Sequence, residues 1–179
     1  MQVKMNKIKA ILVDDEKMAR VLLQGMLNEY CPEIELVELC SNLPSAVKAI
    51  VKHQPELVFL DIEMPGHTGL ELLDFFDEKN VNFSIIFTTA YNQYAIQAFK
   101  LSAFDYLLKP IDPKELQNAV QRYLKLGGQK PDFKVLQGNF SNQDNHLKIA
   151  VSTVNSIKYV DLKSVLAFEA DGSYTHLLL

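Results

Sequence analysis

Four short apolar runs, each halted by residues able to do chemistry, constrain this chain more than any other feature. Ile11-Leu12-Val13 stops at Asp14-Asp15, Leu57-Val58-Phe59-Leu60 at Asp61, Ile85-Ile86-Phe87 at Thr88-Thr89, and Tyr106-Leu107-Leu108 at Lys109-Pro110. Apolar runs of this length, bounded by polar residues and followed by helical patterning, predict strands buried on both faces of a parallel sheet. In open α/β sheets ligands bind beyond the carboxyl ends of the strands. One rim is therefore expected to carry three carboxylates, a hydroxyl and an ammonium.

The pattern between these runs supplies the rest of an α/β domain. Strands are predicted over 8–13, 34–39, 57–60, 84–88 and 104–107, and helices over 16–28, 44–53, 69–76 and 94–101. The first helix is expected to bury a stripe of Ala19, Val21, Leu22 and Met26, and the second to use Val47, Ile50 and Val51. A last helix has the plainest grammar: Asp112 as N-cap, Pro113 at its first position, Glu115 closing a capping box, and Leu116, Ala119, Val120, Tyr123 and Leu124 on one face. Gly127-Gly128 is expected to end it. Such (βα)5 alternation implies a flavodoxin-like domain over 7–126, built on a central five-stranded parallel sheet.

Residues 127–146 read as a polar linker containing Pro131 and Gly138. From 147 the apolar period becomes two (Leu147, Ile149, Val151), with further β-type runs over 157–160 and 165–168, so a second, all-β module is expected over 147–179. About 34 residues is too little for an independent core, and Leu177-Leu178-Leu179 falls in mid-strand, so this module is expected to be incomplete.

Composition narrows the classes. The formal charge of -4 offers no basic stripe for nucleic acid. Without a secretory signal, Cys31 and Cys40 are expected to be buried thiols. His53, His67, His146 and His176 lack partners at metal-ligand spacing. No apolar stretch approaches bilayer length, so no membrane contact and a cytoplasmic location are expected.

Asp14, Asp15 and Asp61 together at one rim require a cation. Two carboxylates 4 Å apart repel by roughly 4 kcal/mol at an effective dielectric of 20. All-oxygen ligation suits Mg²⁺, with no Cys or His placed to favour zinc. Lys109 adds a second positive charge and Thr89 a neutral donor. These are the parts needed to transfer a phosphoryl group to a carboxylate, forming an acyl phosphate on Asp61. Each motif alone has a plainer reading: Asp14-Asp15 as an acidic pair at a helix N-terminus, Asp61 as a loop residue and Lys109 as a solvated one.

Taken in order, Val13-Asp14-Asp15-Glu16, Leu60-Asp61-Ile62-Glu63-Met64-Pro65-Gly66, Thr88-Thr89-Ala90 and Asp105-Tyr106-Leu107-Leu108-Lys109-Pro110 resemble the receiver domain of two-component response regulators. The spacings of 46, 28 and 20 residues between Asp15, Asp61, Thr89 and Lys109 fit that family. The resemblance implies the strand order of the sheet and makes Asp61 the phosphoacceptor. It also implies that Asp14, Asp15 and the main-chain carbonyl of Glu63 hold Mg²⁺ with Asp61, that Thr89 and Tyr106 form the switch, and that Lys109 binds phosphate through a loop with a cis Lys109-Pro110 bond. Of the two adjacent threonines Thr89 is taken as the switch hydroxyl because it immediately precedes Ala90, and Thr88 is expected to point to the opposite face, away from the rim. The implied partners are a sensor histidine kinase and, on phosphorylation, a second copy of the chain. The protein would be a phosphoacceptor that assists its own phosphorylation and dephosphorylation, not an enzyme acting on a separate substrate.

The segment Ile157-Lys158-Tyr159-Val160-Asp161, followed by 165–175 with Glu169-Ala170-Asp171-Gly172-Ser173-Tyr174, resembles the start of a LytTR DNA-binding domain. That resemblance implies DNA as the target of the complete domain. Within 147–179 Lys148, Lys158 and Lys163 are balanced by Asp161, Glu169 and Asp171, so this stretch by itself is expected not to bind DNA sequence-specifically. Two other classes compete. A phosphatase of the haloacid dehalogenase type would place a D-x-D pattern where Asp14-Asp15-Glu16-Lys17 stands. A receiver acting only through protein contacts would typically lack the acceptor or the lysine.

Overall fold

The computed structural model describes residues 7–77, 81–90, 103–126, 148–152, 157–161, 164–171 and 174–178. Strands β1 (Ile8–Val13), β2 (Ile34–Cys40), β3 (Leu57–Asp61), β6 (Ser84–Thr89) and β7 (Asp105–Leu108) form one parallel sheet in the order β2-β1-β3-β6-β7. Among the described residues its α-helices are α1 (Lys17–Tyr30), α2 (Leu43–His53) and α3 (Pro113–Lys125). The predicted α/β architecture is therefore observed. The helix expected over 94–101, the linker over 127–146, Gly127-Gly128 and His146 lie outside the described residues.

Strand alternation divides the core into two layers. Ile11, Val13, Val58, Leu60, Ile85 and Phe87 pack on the side of α2. Ala10, Leu12, Leu57, Phe59, Ile86 and Leu107 pack on the side of α1 and α3. The ring of Tyr123 meets Phe104 edge-on at 5.3 Å, and its hydroxyl donates to the Glu56 carbonyl at 3.0 Å. Burial pushes that phenol up to about 12, so it remains a neutral donor. Such a large buried side chain contributes roughly 1.5–3 kcal/mol.

Local signals set several boundaries. Asn42 caps α2 by accepting from the Ser45 N–H at 2.9 Å, with Pro44 in the first turn, so the helix starts one residue before the prediction. Asp112 accepts from the Lys114 and Glu115 amides and starts α3 as predicted. Leu116, Ala119, Val120 and Tyr123 form its buried face.

Other expectations are corrected. The buried residues of α1 are Leu23 and Leu27, whereas Val21 is 51% and Leu22 63% exposed. The unbroken run Val21-Leu22-Leu23 leaves the phase of the stripe open, and packing on the sheet chose the rotation. Val51 of α2 also faces out, while Ile50 is buried. The helix expected over 69–76 is not an α-helix. A two-residue hairpin, β4 (Glu63–Met64) and β5 (His67–Thr68), leads into a 3-10 helix over Gly69–Phe75. Strand β7 is shifted one residue beyond its prediction.

In the C-terminal segment β8 (Lys148–Ser152) pairs with β9 (Ile157–Asp161), and β10 (Ala167–Asp171) with β11 (Tyr174–Leu178), both antiparallel. The run expected as a strand over 165–168 begins instead at Ala167 and extends to Asp171. Cys31 and Cys40 are buried and free. His53 pairs with Glu38 at 2.8 Å, and His67 with Glu71 at 3.0 Å. No helix among the described residues is long and apolar enough to cross a membrane.

Candidate functional site

The site is assembled where β1, β3 and β7 end. Val13 pairs with Leu60 in the sheet, so the next residues, Asp14 and Asp61, emerge side by side on the α1 and α3 face. Both are almost fully buried, and with Asp15 they present carboxylate oxygens that all lie within 4.8 Å of one another. Lys109 Nζ reaches across from the end of β7 and donates to Asp14 Oδ2 at 2.6 Å and Asp61 Oδ2 at 2.7 Å. The other oxygen of each carboxylate faces a main-chain amide: Glu16 N–H to Asp14 Oδ1 at 2.9 Å, and Glu63 N–H to Asp61 Oδ1 at 3.3 Å.

These contacts set the electrostatics. Burial pushes the Asp61 carboxyl above its ordinary range; the bond and charge of Lys109 oppose this, and the Asp14 charge adds to it. Burial pulls Lys109 down, but its bonds to Asp14 and Asp61 outweigh that and hold it above its ordinary value. The lysine is thus a fixed cation amid three acids. The cluster offers oxygen donors only, with Asp15 the more accessible member, and this donor set fits a hard divalent ion such as Mg²⁺.

Thr89 is fully buried, and its carbonyl accepts from the Lys109 amide at 2.7 Å, which ties β6 to the lysine loop. The expected placement of the two threonines is reversed: Asp61 is in register with Thr88, so alternation puts Thr88 on the Asp61 face and Thr89 on the opposite side of the sheet, where Tyr106 packs. The Lys109-Pro110 peptide is cis.

Two supporting residues were not anticipated. Arg20, one turn into α1, donates through one guanidinium nitrogen to the main-chain carbonyls of Asp14, at 2.5 Å, and Asp15, at 3.0 Å. It clamps the acid turn to the helix that follows. Gly69 donates to the Ile62 carbonyl at 2.7 Å, and a Cβ there would lie 2.1 Å from the Asp61 carbonyl oxygen. Only glycine lets the chain return so close beneath the acid. The spacing of Arg20 on the first helical turn was a visible signal; Gly69 carried none beyond its identity.

The five-stranded parallel sheet thus gathers an acid triad and a lysine at its carboxyl edge. The family profile of the response regulator receiver domain matches residues 10–121, and the chain belongs to that family. It is 45% identical over 118 residues to an uncharacterized response regulatory protein of Vibrio cholerae, a match covering 66% of this chain and 49% of the relative. It is 36% identical over 185 residues to the transcriptional regulatory protein BtsR of Salmonella typhi, covering 96% of this chain and 74% of BtsR. The chain therefore spans about half of the Vibrio relative and about three quarters of BtsR. Among solved structures, the REC domain of AraT, a response regulator from Geobacillus stearothermophilus, superposes with a TM-score of 0.57 at 32% identity, over 64% of this chain and 91% of that one.

Proposed function

We propose that the protein is a phosphorylation-gated regulator in which Asp61 accepts a phosphoryl group from the phosphohistidine of a sensor histidine kinase. The observation that carries this reading is the single ammonium of Lys109 held between Asp14 and Asp61, with Asp15 alongside. An Asp61 oxygen attacks phosphorus in line, the new O–P bond forming as the donor's P–N bond breaks. Lys109 follows the transferred charge to a phosphoryl oxygen. Asp14, Asp15, Asp61 and the main-chain carbonyl of Glu63 would hold Mg²⁺, which would supply charge neutralisation for the transferred group. Thr89 and Tyr106, both on the α2 side in this structure, form the switch: the end of β6 moves so that the Thr89 hydroxyl reaches the phosphoryl group, and Tyr106 follows inward, a shift between two states.

The receiver spans 7–126 and a linker 127–146; residues 147–179 form the beginning of a LytTR-type module through which the complete protein binds DNA as a phosphorylation-dependent homodimer in the cytoplasm. The hairpins β8-β9 and β10-β11, and the name of the BtsR relatives as transcriptional regulators, support this output. Incubation with acetyl phosphate and Mg²⁺ is expected to add one hydroxylamine-sensitive phosphoryl group, seen by mass spectrometry. A wild-type rate in Asp61→Asn would exclude Asp61 as the acceptor.

A further inference from the structure

Thr88 is the residue of the rim that packing does not account for. It is fully buried, yet its Oγ1 has no hydrogen-bond partner among the described residues. Native interiors rarely leave a hydroxyl in that condition, since its hydration is lost without replacement. Valine has the same shape and suits a strand equally well, so shape does not explain a threonine here.

Its position suggests an explanation. Thr88 pairs with Asp61 on one side and Leu107 on the other, and side chains in register on adjacent parallel strands share a face. Ile86, two residues earlier, packs in the layer that contains Phe59 and Leu107. Thr88 therefore lies on the same face as Asp14, Asp61 and Lys109. Lys109 starts beyond β7, yet its Nζ reaches Asp61 at the end of β3 and Asp14 beyond β1. With β6 between β7 and β3 in the sheet, the lysine side chain spans the carboxyl end of β6 on the face that Thr88 occupies.

We propose that Thr88 is a positioning residue of the phosphoryl-transfer site: its Oγ1 receives the Lys109 ammonium when Lys109 leaves the acid pair for the phosphoryl group. An ammonium only donates, with three hydrogens to place, and each acceptor it leaves must be replaced. In the structure two go to Asp14 and Asp61. Once these carboxylates turn to a cation and a phosphoryl group, the buried lone pairs of Thr88 lie along the path of the lysine. The hydroxyl is left unmatched in the resting state and matched in the working one, a pattern expected of functional sites.

The inference rests on the assignment of Lys109 to the phosphoryl group but fails separately from it, because Thr88 variants keep Asp61 and Lys109 intact. Urea midpoints and acetyl phosphate time courses in Mg²⁺ would be compared for wild type, Thr88→Val, Thr88→Ser, Lys109→Ala and the Thr88→Val/Lys109→Ala pair. Thr88→Val is expected to be at least as stable as wild type but phosphorylated about tenfold more slowly, with Thr88→Ser within about twofold of wild type. In the Lys109→Ala background Thr88→Val is expected to have no further effect. If Thr88→Val lowers the urea midpoint, Thr88→Cys, close in volume but a poor acceptor, replaces it with the same expected slowing. Wild-type rates in the valine or cysteine variant would overturn the inference, as would full additivity with Lys109→Ala.

Discussion

Asp61 has opposite demands placed on it by burial and by chemistry. Its carboxyl is raised chiefly by burial, so the charged form is the costlier one in the folded chain. A raised folded value contributes stability that is present below the ordinary carboxylate range and lost as pH rises through the folded value. Asp61→Asn is therefore expected to be more stable than wild type at pH 7 in metal-free buffer. The difference should disappear below the ordinary carboxylate range and shrink in Mg²⁺; urea midpoints across pH with EDTA or Mg²⁺ check both. Gly69 presents a backbone limit. A methyl there would be driven into the Asp61 carbonyl, so Gly69→Ala is expected to cost about 2–3 kcal/mol and slow phosphorylation. Equal urea midpoints for Gly69→Ala and wild type would show that the turn yields without cost.

At the scale of elements, α1 shows how packing chooses a phase. Leu22 and Leu23 are neighbours in sequence, yet one is 63% exposed and the other 3%. Leu23→Ala is expected to cost about 2–4 kcal/mol and Leu22→Ala less than about 0.5 kcal/mol, measured by urea unfolding. The reverse order would restore the stripe predicted from the sequence. The same helix carries the Arg20 clamp, so its seating on the sheet also fixes the carbonyls of Asp14 and Asp15. Strand β7 couples layers in a comparable way. Asp105 pairs with Arg122 near the end of α3, while Lys109, just beyond the strand, reaches the acids.

For the whole molecule, the division between a five-stranded sheet covered by helices and two separate two-stranded ladders predicts unequal protection. An isolated hairpin is marginal in water, whereas central strands open only with the domain. Amide exchange is expected to be slowest in β1, β3 and β6 and faster by several orders of magnitude in β8 to β11. Hydrogen-exchange mass spectrometry at neutral pH would detect this; equal protection would mean that the hairpins fold cooperatively with the receiver.

The sequence by itself determined the elements whose signals are local. Apolar runs ending at Asp14, Asp61, Thr88-Thr89 and Lys109 marked the strands and the edge where the acids and the lysine meet, while Asp112-Pro113 and Pro44 located two helix starts, because strand period, caps and proline act within a few residues. Only tertiary structure decided what depends on neighbours distant in the chain. Leu23 and Leu27, rather than Val21 and Leu22, face the core because the sheet selects one rotation among several of similar amphipathicity. The close return of Gly69 to the Asp61 backbone, where the 3-10 turn begins, is likewise a feature of the folded chain. The Arg20 clamp and the placement of Thr88 between Asp61 and Leu107 arise from strand order and register, which no local window of the chain contains.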